Sequence, residues 1–139
     1  MKNMRILVID GQGGGIGRQL VEAILASDIP CEITAVGANT AATAAMLKAG
    51  AHQGATGENA AVVCARSADV ILGPVGIAVA DSLLGEITPR MAQAVGHSGA
   101  KKLLLPVNHC DNIIVGVCDL SLRTLTGEAV RLLKEMAEA

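Results

Sequence analysis

Phenylalanine, tyrosine and tryptophan are absent from the 139 residues. No aromatic platform is present on which bases could stack, and a net charge of −2 supplies no phosphate-neutralising patch, so nucleic acid is not expected as a partner. Charge of either sign is scarce. Eleven Lys and Arg with 13 Asp and Glu make 17% of the chain, against about 25% in average proteins, while 51% is apolar, which excludes a disordered chain. Long hydrophobic runs are missing too: stretches such as Ile6 to Ile9 and Leu103 to Val107 fall far short of the roughly 20 residues that span a bilayer. The four cysteines, Cys31, Cys64, Cys110 and Cys118, contain no CxxC pair and no zinc-ligand spacing, so no metal site is expected. A strand follows the start directly, without a signal-peptide pattern, and the expectation is free thiols in a reducing, cytoplasmic setting.

What is abundant is glycine, 16 residues of it, and short apolar segments. The length suits one domain over residues 1–139. Met4 to Asp10 is a continuous apolar run of the kind a strand buried on both faces requires. Ile16, Leu20, Val21 and Ile24 follow at helical spacing, Cys31 to Val36 alternates as a strand, and Ala41 to Ala49 is a helix started by Asn39 or Thr40 and stopped by Gly50. Thr56 is placed to cap a helix through Gly57 to Ala65, and Asp69 to Leu72 is a third strand. A helix from Ile77 to Leu84 is expected, then another from Thr88-Pro89 to Gly96 and a strand over Lys102 to Val107. Only Asn108 to Asp111 separates that strand from the apolar Asn112 to Val117, and a parallel crossover needs about a dozen residues or more. The two should form an antiparallel hairpin. An amphipathic helix with Leu125, Ala129, Leu132 and Met136 on one stripe closes the chain. The pattern predicts a Rossmann-like, doubly wound, mostly parallel α/β sheet with an antiparallel hairpin at its edge. The high apolar content predicts surface left for a second copy of the chain, hence a homo-oligomer.

The candidate site is the strand-to-helix junction Asp10-Gly11-Gln12-Gly13-Gly14-Gly15-Ile16-Gly17-Arg18. Gly11, Gly15 and Gly17 fit GxxxGxG; the sixth position, Ile16, breaks GxGxxG, and Gly17-Arg18-Gln19 excludes a Walker A loop. Glycines here permit a tight turn, let backbone N–H groups approach a phosphate, and open a helix whose N-terminus carries partial positive charge. The expected ligand is a small phosphorylated molecule, a nucleotide or dinucleotide, with NAD or NADP as the candidate cofactor. A bare packing turn is the alternative. An NAD-binding unit places an acid about 20 residues past the glycines, yet Val36 to Thr40 contains none, so Asn39 is the candidate ribose contact there and otherwise a helix cap. Asp10 would repel pyrophosphate unless it accepts from the loop's own N–H groups or a Mg²⁺ bridges the two. Gly73 and Gly76 form a second glycine loop at a strand end, either a ligand contact or a tight turn around Pro74.

Asn108-His109-Cys110-Asp111 is the densest cluster of reactive side chains, which makes Cys110 a candidate nucleophile with Asn108 and Asp10 as candidate catalytic groups. Neighbours in an extended segment point apart, however, so His109 is badly placed to serve Cys110. Cys31, Cys64 and Cys118 read as buried small hydrophobes, His52 and His97 as solvated loop residues, and Lys101-Lys102 as a strand entrance.

The TGxxxGIG-like opening resembles that of short-chain dehydrogenases over about the first 25 residues, but those enzymes use a catalytic Tyr and this chain has none. Over nearly the whole length, IDGQGGGIG, MLKAGAHQGATGENA, GPVGIAVADSLLGEIT and LLLPVN resemble a family of short bacterial proteins catalogued as domain of unknown function 3842. That resemblance implies a Rossmann-like fold and a loose kinship with NAD-dependent epimerases, and no reaction. Three functions stay open: a nucleotide-linked, NAD(P)-using enzyme; a non-catalytic nucleotide or metabolite sensor; and a cysteine-dependent enzyme using Cys110.

Overall fold

The computed structural model of the protein describes residues 3–107 and 112–139. Strands and helices alternate: β1 (Met4–Asp10), α1 (Gly15–Ala26), β2 (Cys31–Gly37), α2 (Thr40–Lys48), β3 (Gln53–Thr56), α3 (Glu58–Ala65), β4 (Val70–Pro74), α4 (Pro89–His97), β5 (Lys101–Leu105) and α5 (Leu122–Glu138). A 3₁₀ turn, Val75–Ala78, follows β4. All five strands are parallel, in the order β3-β2-β1-β4-β5. That order matches the leading strands of a dinucleotide-binding sheet, consistent with a Rossmann-like α/β fold, and its topological switch point lies between β1 and β4.

The continuous apolar run of β1 follows from its position in the middle of the sheet. Ile6 and Val8 face one layer with α1, α2 and α5, whereas Leu7 and Ile9 face the other with α3 and α4. Both faces are dry, so alternation of polar and apolar residues would bury unpaired groups.

Several expectations need correction. The antiparallel hairpin is not seen. Asn112 to Val117 is no strand; its chain turns where the Val117 N–H donates to the Ile114 carbonyl at 3.3 Å and Gly116 takes φ 87°, leaving Ile113 85% and Val115 93% exposed. A strand there would need its apolar residues covered, but α5 turns back to pack on α1 and β5 instead. An extra strand, β3, occupies the opposite edge, where the Gln53 side chain donates to Thr34 Oγ1 at 2.8 Å. Its polar, short sequence concealed it, because its partner rather than its composition makes it a strand. Gly57 at φ 101°, not Thr56, caps α3, and the Thr56 hydroxyl lies 2.7 Å from that of Thr43. The helix expected over Ile77 to Leu84 shrinks to the 3₁₀ turn plus a run of tight turns in which Asp81, Leu83 and Leu84 all have positive φ. The Thr88 cap of α4 is present, its hydroxyl accepting from the Met91 N–H at 3.1 Å, and α4 runs past Gly96 to His97. Among the described residues, no helix is long and apolar enough to cross a membrane.

Candidate ligand cleft at the glycine loop

The glycine loop leaves β1 at the switch point, where α/β sheets receive their ligands beyond the strands' carboxyl ends. Asp10, its first member, is 3% exposed. Its Oδ1 accepts from the Gly11 N–H at 2.8 Å and its Oδ2 from the Gly17 N–H at 2.6 Å, so the carboxylate ties the two ends of the loop together. Burial pushes the Asp10 pKa above its ordinary value; the loop N–H groups pull it down, and the negative charge of Glu86 adds a smaller upward push. The expectation that Asp10 accepts from the loop's own amides is met.

Two glycines are dictated by space. Gly14 has φ 74°, and a Cβ there would lie 2.8 Å from the Ala42 Cα. A Cβ on Gly17 would lie 2.9 Å from Met46 Cγ and 3.0 Å from Asp10 Cβ, so Gly17 lets α1 close on α2 and β1. Gly13 and Gly15, in contrast, face open space. They line a cleft of about 210 Å³ together with Gln12, Ile16, Gln19, Leu83 and Leu122.

Glu86 was not singled out from the sequence, yet its carboxylate is hydrogen-bonded to the glycine loop. Its Oε1 accepts from the Gln12 N–H at 2.6 Å, and its Oε2 from Asn39 Nδ2 at 2.6 Å. Asn39, directly after β2, caps α2 by accepting from the Ala42 N–H at 2.8 Å and also donates to the Gln12 carbonyl at 2.9 Å. It is a cap and a loop clamp at once. A signal for Glu86 existed: it is an acid in the non-periodic stretch between the carboxyl end of β4 and the Thr88-Pro89 helix start. Leu83 was missed too. A Cβ on Gly11 would lie 2.9 Å from Leu83 Cδ1, and one on Gly76 would lie 3.9 Å from Leu83 Cδ2, so this side chain stands between the two glycine loops. Gly73 and Gly76 are buried, their missing side chains making room for Ile77 and for Ser82 with Leu83.

The remaining candidates scatter. Cys31 and Cys64 are half-buried, and burial raises both thiols, which makes them poor nucleophiles. Cys118, expected buried at a strand end, is exposed. His52 is not solvated filler, since its Nδ1 accepts from the Ile33 N–H at 2.8 Å. His97 lies in the last turn of α4 rather than in a loop. Lys102 ties off the end of α4 through the Ser98 and Gly96 carbonyls. Asn108, His109, Cys110 and Asp111 lie outside the described residues. Among the described residues no three His, Cys, Asp or Glu side chains converge as a metal site.

These donors do not suit a full dinucleotide. Its pyrophosphate needs a row of free loop amides, but Gly11 and Gly17 donate to Asp10, Gln12 to Glu86, and Gly14 to the Gly11 carbonyl at 2.9 Å. The Gly13 and Gly15 amides, just before and at the start of α1, donate to no backbone partner among the described residues and leave room for one phosphate.

Comparison with the curated proteins finds no match. The family described as Domain of unknown function (DUF3842) matches residues 5–138. Since that match covers nearly the entire chain, the protein belongs to the DUF3842 family.

Proposed function

We propose that the glycine-loop cleft binds a mononucleotide or nucleoside. One phosphate would be met by the Gly13 and Gly15 amides at the α1 N-terminus, and the ribose hydroxyls by Glu86 and Asn39. The observation that carries this reading is the position of Glu86. It brings to the end of β2, from a different element, the acid that dinucleotide-binding sheets use to accept from a ribose hydroxyl. The few loop amides left without a partner suit one phosphate rather than the pyrophosphate of NAD or NADP. The described cleft residues bring together no nucleophile and base, which favours a sensing or carrier role over catalysis.

The test uses the lack of Tyr and Trp, which leaves the chain almost transparent near 280 nm, so bound nucleotide stands out after gel filtration. AMP or adenosine should be retained, or should raise the melting temperature, and Gly15→Asp should abolish the effect. Retention of NAD with no response to AMP would sink the mononucleotide reading, and no response to any nucleotide would return the loop to a packing turn.

Self-association of copies through the apolar segment around Ile113, Val115 and Leu120 is part of the same proposal. These side chains are exposed beside a groove of about 460 Å³ that includes Pro106, Val107 and Leu125. Val115→Asp should shift the sedimentation profile toward monomer; an unchanged profile would remove this face from consideration.

A further inference from the structure

A second cavity, of about 450 Å³, lies on the opposite face of the sheet from α1, between α3 and α4. Its floor is apolar, made by Val62, Ala65 and Ala94, and its rim carries Arg66, Arg90, Gln93 and His97. None of its lining residues is acidic. Neither arginine forms an ion pair among the described residues, although the chain has more acids than bases.

Arg66 at the end of α3 and His97 in the last turn of α4 have an ordinary explanation, since cations complement the negative end of a helix. Arg90 does not. It stands in the first turn of α4, beside the positive end of the helix dipole, and that turn contains no acid to offset it. A cation there is opposed by the helix dipole. Arg90, Gln93 and His97 recur at helical spacing, so one stripe of α4 presents all three to the same cavity as Arg66.

We propose that this groove binds a small phosphorylated molecule. Its phosphoryl oxygens would be held by the Arg66 and Arg90 guanidinium groups, with Gln93 and His97 as further donors and its apolar part against Val62, Ala65 and Ala94. Guanidinium groups match phosphate geometry with paired donors, and the cavity volume lies in the range of small-ligand pockets. The site is separate from the glycine cleft, so the two readings stand or fall independently.

Phenyl phosphate is a suitable probe, with benzyl alcohol as its neutral counterpart, titrated by calorimetry into Gly15→Asp protein so that the glycine cleft does not contribute. Saturable binding of phenyl phosphate with a Kd below about 1 mM is expected, with none for benzyl alcohol. The added Arg66→Ala and Arg90→Ala changes should weaken it by about tenfold or more. Both side chains are exposed, so these variants should keep the melting temperature, which a thermal scan verifies. Equal binding with and without the two arginines, or no saturable heat, would overturn the proposal. So would a shift from dimer to monomer in the arginine variants, which would make the groove a subunit contact.

Discussion

The Glu86 carboxylate bridges the glycine loop and the end of β2, accepting from the Gln12 amide and from the Asn39 side chain, each at 2.6 Å. An internal acid thus holds a backbone N–H that a pyrophosphate would otherwise claim. The loop is preorganised by two carboxylates, Asp10 and Glu86, which take the Gly11, Gly17 and Gln12 amides and leave those of Gly13 and Gly15.

Removing this bridge should loosen the loop. Glu86→Ala loses two charge-assisted hydrogen bonds at a half-buried position, so destabilisation of about 1–2 kcal/mol in urea melts is expected. Glu86→Gln keeps the size but sets its amide N–H against a donor, either Asn39 or Gln12, and should fall between. If Glu86 accepts from a ribose hydroxyl, both variants should also weaken AMP binding by about tenfold, against a smaller effect on ribose-5-phosphate lacking its 2′-hydroxyl. Full stability in Glu86→Ala would show that the bridge does not form in solution.

Asp10 gives a pH signature. Because burial raises its pKa in the folded chain, the folded state keeps its proton at pH values where the unfolded chain has lost it. Its stabilising contribution is complete below the ordinary aspartate value and is lost as pH rises through the raised one. The slope from this one group is at most about 1.4 kcal/mol per pH unit. Asp10→Asn removes that segment of the pH dependence while adding a constant penalty, since its amide can accept from only one of the two N–H groups. Urea melts across the acidic range should show the native curve falling where the variant stays flat, and parallel curves would contradict the assignment.

Gly17 and Gly15 should respond oppositely to alanine. At Gly17 a methyl would press on Met46 and Asp10, two buried groups, and a loss of about 1–3 kcal/mol is expected. At Gly15 the space is open and the backbone already helical, so alanine should be neutral or stabilise by up to about 1 kcal/mol. The same Gly15 methyl would crowd a phosphate on the loop. Gly15→Ala protein that melts no lower yet binds AMP more weakly would separate stability from function, and unchanged AMP affinity would place the phosphate elsewhere.

The sequence made β1, α1, β2 and the Thr88 cap legible because each is specified locally, by an apolar run, a helical period or a side chain that meets a nearby N–H. The glycine loop and the pairing of Asp10 with its own amides were legible for the same reason. What could not be read depends on residues far apart in the chain. The strand β3 exists because β2 offers an edge, not because Gln53 to Thr56 favours extension. Glu86 reaches Gln12 across 74 residues and Asn39 across 47, through left-handed turns that no periodicity signals. The hairpin failed for a related reason. A short connection forbids a parallel crossover but does not oblige the next apolar segment to pair at all.

Those turns offer the last prediction. Leu83 and Leu84 both have left-handed backbones, φ 58° and 57°, followed by Gly85 at 86°. For a residue with a Cβ this costs about 1–2 kcal/mol. At Leu83 the cost is offset by packing, because the side chain is buried and fills the space between Gly11 and Gly76. At Leu84 nothing among the described residues offsets it, since the side chain is 97% exposed. Asparagine tolerates the left-handed region and exposes no apolar surface, so Leu84→Asn should stabilise by up to about 1 kcal/mol and raise the melting temperature by a few degrees. Leu83→Ala should do the reverse, by about 2 kcal/mol or more. If Leu84→Asn instead lowered the melting temperature, and did so more strongly at high protein concentration, Leu84 would be buried against a second copy. The strained turn would then be an element of the subunit contact.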